Sequence, residues 1–305
     1  MSAPAPTLLT PRILIPFTIV TLIWGSTWLV IRDQLGTVPP SWSVTYRFAI
    51  AGVAMFLLAA FRREKLWLPG RVQLFAAALG ITQFMMNFNF VYRAEHYLTS
   101  GVVAVIFALL IVPNTLFSWI FLKTPVNRKF LGGGVIAIIG VALLLAHEAG
   151  AIQGDSKTVL LGAGLTLAGV CSASAANVMQ ATKLGKAQSM VVLLAWAMVW
   201  GALADAAFAY ATVGPPVFDW RWSYGAGLLY LGLAGSVVCF PLYFGIIRQV
   251  GAGPAAWSSV LIPVIAMALS TLAESYHWSG LSIAGAVLVI TGLIVAIRPS
   301  PNNAG

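Results

Sequence analysis

The polar side chains inside the apolar stretches of this sequence are few, and some of them fall into stripes. Residues 72–92 are largely apolar, and two of their four amide side chains, Gln83 and Asn87, are four residues apart, with Phe84 next to the first. Spacings of three and four place these side chains on one face of a helix. An amide in an apolar environment needs a partner on another helix or in a bound ligand. This face is therefore suited to binding a neutral polar group or to joining two helices.

Aromatic and small polar side chains in other apolar stretches are suited to completing a binding site. Small-molecule pockets are mostly apolar with a few placed polar groups. The same side chains are common where helices pack together or face lipid, so each has both interpretations. The candidates for ligand binding are Gln83, Phe84, Asn87, Phe107, Asn114, Tyr243, Trp257 and Ser258.

Two charged residues, Arg47 and Asp205, lie well inside apolar stretches. Both are predicted to lie about 9 Å from the same membrane face, at 1.5 Å per residue, so an ion pair between them would offset the cost of burying each charge. Alternatively, Arg47 extends to the membrane interface and Asp205 bonds a neighbouring helix, or they act in gating or ligand attraction. Asp205 and Glu274, which ends a later apolar stretch, are the candidates for proton coupling.

The sequence lacks a pattern that would support catalysis or metal binding. The three histidines fall at the ends of apolar stretches, and Cys171 and Cys239 have no metal-ligand spacing. A membrane enzyme acting on lipid, such as an acyl or prenyl transferase, is an alternative of another class, but it calls for clustered His, Asp or Glu. We therefore expect no catalytic residue, no metal and no cofactor.

The elements that position these residues are predicted to be membrane-spanning helices. Hydrophobic residues make up 60% of the 305 residues and charged residues 8%, against roughly 25% charged residues in soluble domains. A span needs about 20 apolar residues. We predict an all-α integral membrane protein with ten transmembrane helices, at 13–32, 42–61, 72–92, 99–122, 129–147, 158–181, 189–212, 224–247, 252–274 and 278–297.

The formal net charge of +9 follows this predicted topology. With ten spans both termini lie on one side, and that side collects twelve of the seventeen Lys and Arg residues while the other collects four. By the positive-inside rule both termini are cytoplasmic. The basic residues thus indicate the membrane topology, and we expect a lipid bilayer rather than nucleic acid as the partner.

The chain nearly repeats itself at an offset of 150 residues. Gly101 is followed by Pro113 and Thr124, and Gly251 is followed at the same spacings by Pro263 and Glu274. We predict repeats at 13–147 and 158–297, with cytoplasmic tails at 1–12 and 298–305. Because each repeat has five spans, the second must insert inverted relative to the first, as in many secondary transporters. Pro113 and Pro263 interrupt helical hydrogen bonding at matching positions, and we expect them to be hinges.

The chain resembles the EamA repeat of the drug/metabolite transporter superfamily over about residues 13–297. The resemblance departs from the family pattern at Thr124, where the first repeat is expected to carry an acidic residue, whereas the second keeps Glu274. In the first repeat the resemblance rests on Trp24-Gly25-Ser26-Thr27-Trp28, Arg47-Phe48 and the block from Tyr97 to Gly101 through Pro113 to Gly140-Val141. In the second repeat it rests on Gly251 to Pro263, Leu272-Ala273-Glu274 and Gly285 to Gly292.

This resemblance implies a cavity between two five-helix halves, opened alternately to each side of the membrane. Within the superfamily the chain is most similar to bacterial aromatic amino-acid exporters. We accordingly expect a monomeric inner-membrane exporter of neutral, especially aromatic and large apolar, amino acids, working as a uniporter. The alternative within this class is an exporter of drugs or other metabolites, with proton coupling through Asp205 or Glu274.

Overall fold

The structure is a computed structural model that describes residues 11–124, 128–151, 156–250 and 258–297. Every regular element in these ranges is helical, and a short helix, Lys183–Lys186, joins two of the long ones. The long helices are α1 (Pro11–Gln34), α2 (Pro40–Phe61), α3 (Gly70–Ala94), α4 (Ser100–Leu122), α5 (Arg128–Ala151), α6 (Ser156–Ala181), α7 (Met190–Val213), α8 (Trp222–Leu229 through Cys239–Val250), α9 (Ser258–Ala273) and α10 (Gly280–Ile297).

The prediction of a multi-pass, all-helical membrane protein is confirmed. Seven of these helices, α1 to α4 and α6 to α8, are long and apolar enough to cross a membrane. In α5, α9 and α10 the described apolar stretches are shorter, at Leu131–His147, Leu261–Ala273 and Gly280–Val295. The ten helices follow the ten predicted ranges closely, but ten membrane crossings remain a prediction.

Several helix boundaries follow from residues that cannot continue a helix or that start one well. α2 begins at Pro40, whose fixed φ suits the first helical position. The hydroxyl of Ser189 accepts a hydrogen bond from the backbone N–H of Val192 at 3.4 Å and so caps the start of α7. α7 ends at Gly214, where φ is +90°, a conformation that residues with a Cβ rarely adopt.

The helix contacts come in matched pairs, as expected for two related five-helix repeats. α2 packs on α7, α4 on α9 and α5 on α10, so these helices meet their own counterparts. The contact of α1 with α8 is matched by that of α6 with α3, and the contact of α1 with α9 by that of α6 with α4. This pairing is the pattern that a two-fold relation between the repeats produces.

Glycines allow the closest of these contacts. A Cβ added to Gly140 of α5 would lie 2.6 Å from the carbonyl oxygen of Gly285 in α10, and one added to Gly292 would lie 2.5 Å from the carbonyl oxygen of Gly133. Such distances leave no room for a side chain. Small residues at helix contacts let backbones approach and are the usual means of helix association in lipid.

α3 and α8 each contain a π-helical stretch, at Ile81–Met86 and Tyr230–Val238. Adding the repeat offset of 150 to the first gives 231–236, inside the second. Carbonyls in these stretches bond to other helices: that of Thr82 accepts from the Ser172 hydroxyl of α6 at 2.8 Å, and that of Gly235 accepts from the Trp24 indole of α1 at 3.0 Å. π-Turns are frequent at functional sites.

The packing of α4 differs between the two ends of the bundle. We call the end at which α1 begins and α10 ends the terminal end, and the opposite one the distal end. The distal part of α4, Ser100–Phe107, packs against α1, α6 and α9, whereas the terminal part, Ile111–Leu122, packs mainly against α6. The distal part of α4 is thus held by three helices and its terminal part mainly by one.

Candidate functional site

A cavity of about 120 Å³ lies between the two repeats. On the same measure a single water needs about 10–15 Å³, so the cavity has room for a small metabolite. Its walls come from α1 to α4, α6, α8 and α9. The lining residues used below are Trp24, Thr27, Trp28, Arg47, Gln83, Asn87, Phe88, Phe107, Asn177, Tyr243, Ser258 and Pro263.

Seven of the residues that line the cavity are aromatic. The ring centre of Trp24 lies 5.0 Å from that of Tyr243 and 5.5 Å from that of Phe240. Trp28, one helical turn along α1, lies 5.3 Å from Phe107 of α4. These tilted and edge-to-face contacts hold the rings in fixed orientations and leave ring faces available to an aromatic ligand.

Arg47 supplies a positive charge to the cavity. Its side chain is 1% exposed, so it does not extend to the membrane interface. The guanidinium Nε donates to Ser236 Oγ at 3.3 Å, and its central carbon lies 4.3 Å from the ring centre of Phe88. Among the described residues no carboxylate lies within ion-pair distance of Arg47. The charge is therefore held by aromatic and hydroxyl groups rather than neutralised.

The expected ion pair between Arg47 and Asp205 is wrong. Asp205 is fully buried, where it accepts hydrogen bonds from Asn89 Nδ2 at 2.7 Å and Thr45 Oγ1 at 3.2 Å. Equal depth did not bring the two charges together because the helix face of α2 that carries Thr45 packs on α7, and Arg47 faces the cavity. Asp205 thus joins α2, α3 and α7, as the alternative interpretation held.

Two amides of α3 face the cavity with hydrogen-bonding capacity to spare. Gln83 and Asn87 both line it and are 4% and 2% exposed. Gln83 Oε1 and Asn87 Oδ1 have no hydrogen-bond partner among the described residues. A buried amide oxygen without a partner costs roughly 1–3 kcal/mol, which a ligand donor would recover. Asn177 of α6 also lines the cavity and donates to Asn114 Oδ1 at 3.3 Å.

The structure places five of the eight candidate binding residues in the cavity wall: Gln83, Asn87, Phe107, Tyr243 and Ser258. Phe84 is fully buried behind the wall, 5.2 Å from Phe240 and 4.8 Å from Phe48. Its Cβ faces Gly201 of α7. Asn114 reaches the cavity through Asn177, and Trp257 lies outside the described residues.

The two proline positions differ. Pro263 lines the cavity within α9. Pro113 lies just after a 3₁₀ turn at Ala108–Leu110, and its missing N–H would have bonded the Leu109 carbonyl. That turn separates the distal and terminal parts of α4. The hinge role of both prolines remains a prediction.

Sequence reasoning missed Trp24, Thr27 and Trp28 as cavity residues. They were noted only as part of a family pattern, although the spacing of four between the two tryptophans puts both rings on one face of α1. This spacing was the signal that could have identified them.

At the distal end, charged residues gather around the buried Glu95, and sequence reasoning identified only Glu274 among them as a candidate. Glu95, just after α3, is fully buried, and neither carboxyl oxygen has a hydrogen-bond partner among the described residues. Arg32 donates to the Glu95 backbone carbonyl and lies 3.6 Å from the Glu274 carboxylate. That carboxylate also accepts from the Ser100 backbone N–H at 3.3 Å and from its hydroxyl. Glu274 therefore links the end of α9 to the start of α4.

Comparison with known proteins agrees with the resemblance noted in the sequence. The model of the EamA-like transporter family matches residues 12–146 and again 160–298. One solved crystal structure aligns with 92% of this chain and 95% of its own, with a TM-score of 0.69 and 19% identity, and so shares the fold.

Full-length relatives are known from several bacteria. Protein PagO of Salmonella typhimurium is 27% identical, covering 92% of this chain and 90% of its own. The uncharacterized transporter YoaV of Bacillus subtilis is 22% identical, covering 90% and 93%. The uncharacterized inner membrane transporter YedA of Escherichia coli K12 is 29% identical, covering 82% and 79%. With two family matches that together span most of its length, this chain belongs to the EamA-like transporter family.

Proposed function

We propose that this protein exports neutral aromatic and large apolar amino acids across a bacterial inner membrane by alternating access. Family membership supports a membrane transporter, and the similarity to the inner membrane transporter YedA supports an inner-membrane location. The substrate class rests on the cavity. The observation that carries it is Arg47, a buried cation that has no carboxylate partner in the part of the chain that the structure describes and that lies in a wall rich in aromatic rings.

The cavity chemistry matches the three parts of an amino acid. Arg47 binds the carboxylate, because a charge-assisted hydrogen bond in a largely apolar pocket is stronger than one in water. The free oxygens of Gln83 and Asn87 accept from the ammonium group. The rings of Trp28 and Phe107 receive an aromatic side chain. A zwitterion leaves the whole complex with the same net charge as the empty cavity.

Export of cationic drugs fits this cavity less well. A cation placed beside Arg47 would be repelled, and none of the described lining residues is acidic. An exporter of cations would gain from the opposite arrangement, with a carboxylate in the wall. The nearest alternative substrates are other metabolites that have a carboxylate and an apolar part.

Uptake into liposomes containing the purified protein tests the proposal. Labelled phenylalanine is compared with labelled phenethylamine, which keeps the ring and ammonium but lacks the carboxylate. We expect phenylalanine to equilibrate faster, and Arg47→Gln to slow it by about tenfold to a hundredfold, since a hydrogen bond to a charged group contributes about 1.5–3 kcal/mol.

Arg93→Gln is the matched control. Arg93 is also an arginine stacked on a phenylalanine, 5.4 Å from the Phe208 ring centre, but it does not line the cavity. Arg93→Gln should leave phenylalanine uptake close to that of the unsubstituted protein. Faster uptake of phenethylamine, or equal loss in both variants, would refute the proposed substrate class.

A further inference from the structure

We propose that Glu95 is a proton-binding residue whose protonation holds the distal end closed, so that opening of this end responds to the pH of the solution it faces. The proposal concerns a site outside the cavity and does not depend on which substrate is carried. It rests on the arrangement of Glu95, Arg32 and Glu274.

The positive charge available to the two carboxyl groups is shared unequally. Arg32 uses its guanidinium for the Glu274 carboxylate and for the backbone carbonyl of Glu95. The Glu95 carboxyl group, fully buried, receives no hydrogen bond from the described residues, while Glu274 receives two from Ser100. One arginine thus faces two acids, and of the two only the Glu274 carboxylate also receives hydrogen bonds from neighbouring described groups. A buried carboxyl group without donors is stable as the neutral acid.

Burial, together with the negative charge of Glu274, raises the pKa of Glu95 well above its usual value, and Arg32 offsets this in part. The other titratable groups close to it are Tyr92 on α3 and the neighbouring His96. His96 is exposed at its surface position, and partial burial together with the charge of Arg32 lowers its pKa.

Opening the distal end would separate the contacts that bury Glu95. α4 and α9 meet there so closely that a Cβ added to Gly101 would lie 2.7 Å from the Met267 sulfur. Glu274 spans the same contact. When α9 moves away from α4, water reaches Glu95, its pKa returns toward the ordinary value, and the proton passes to the solution at the distal end. Reclosing takes a proton from that solution.

The sign of the pH effect follows from these two states. The closed state has the raised pKa, so it is favoured at low pH and loses that advantage as pH rises above the ordinary pKa of Glu. Between the two pKa values the ratio of closed to open protein falls about tenfold for each pH unit. A protein with an uncharged residue at position 95 has no such dependence.

Cysteine labelling measures the opening directly. Ser270, one turn before Glu274 on α9, is fully buried against Gly101. In a Cys171→Ser, Cys239→Ala background, a Ser270→Cys substitution reports separation of α9 from α4 through its reaction with a maleimide. The labelling rate is corrected for the thiolate fraction by comparison with a small thiol. We expect the corrected rate to rise with pH. The Glu95→Gln substitution should abolish that rise and keep labelling slow.

Glu64→Gln is the control, since Glu64 is an acid at the terminal end that bonds to the Ser189 hydroxyl. It should retain the pH dependence. Infrared spectroscopy provides a second readout on the same proteins: a protonated carboxyl band should persist at pH values above the ordinary pKa of Glu, and it should be weaker in Glu95→Gln. Unchanged pH dependence in Glu95→Gln, or absence of that band in the unsubstituted protein, would overturn the proposal. Neither measurement needs a substrate, so failure here is distinct from failure of the proposed transport.

Discussion

The guanidinium of Arg47 stacks on Phe88, with 4.3 Å between its central carbon and the ring centre. A cation over a ring gains about 0.5–2 kcal/mol, and the ring also holds the planar group in one orientation. Phe88→Leu should therefore weaken phenylalanine binding about twofold to thirtyfold, while Phe88→Tyr should bind nearly as well. Binding measured by isothermal titration would contradict this if Leu and Tyr had the same effect.

Asp205→Asn is expected to destabilise the protein without changing its response to pH. The carboxylate accepts from both Asn89 and Thr45, and an amide presents only one acceptor atom. Loss of a hydrogen bond to a buried charged group costs about 1.5–3 kcal/mol. We expect a lower unfolding temperature in detergent and an unchanged pH profile of Ser270→Cys labelling. A flattened profile would instead assign the proton site to Asp205.

Gly140→Ala should separate α5 from α10, because its new methyl group would lie 2.6 Å from the Gly285 carbonyl oxygen. Overpacking of this kind typically costs about 1–3 kcal/mol. Gly132→Ala on the same helix is the control, since a Cβ there meets no atom within 4 Å. Thermal unfolding should be lowered by the first substitution and unchanged or slightly raised by the second. Equal unfolding temperatures would show that this contact tolerates a side chain.

Thr124→Glu is expected to shift the protein toward the state open at the distal end. Thr124 is the repeat counterpart of Glu274, but among the described residues its hydroxyl bonds to the Ser118 carbonyl of α4 and to no other helix. An acid here would provide the terminal end with a helix-to-helix contact like that of Glu274 at the distal end. Labelling of Ser270→Cys should become faster in Thr124→Glu and stay unchanged in Thr124→Gln. Slower labelling in the Glu variant would contradict this reasoning.

The helices and their repeat could be predicted from the sequence because they depend on local composition and on a regular offset. Ranges of about 20 apolar residues are visible without any tertiary information. The pairing of Gly140 with Gly285 could not be predicted, since the sequence does not say which helix a glycine faces.

The site was predicted less completely, because its members depend on rotation about helix axes. Gln83 and Phe84 are adjacent and were assigned to one stripe, yet one lines the cavity and the other packs on α7. The similar predicted depth of Arg47 and Asp205 in the membrane likewise suggested that they would pair, but depth does not determine which way each side chain points. Glu95 was overlooked because it follows a helix end, where an acid is ordinarily solvated.

The matched π-helical stretches of α3 and α8 have a mechanical consequence. A π-turn holds one residue more than an α-turn, so conversion of Ile81–Met86 to regular α-helix would advance the following segment by one position. Such a step rotates that segment by about 100° and shifts it by about 1.5 Å, which would turn Asn87 away from the cavity. For such a step to occur in either repeat, the hydrogen bond that Ser172 or Trp24 donates to a carbonyl of the π-helical stretch would have to break.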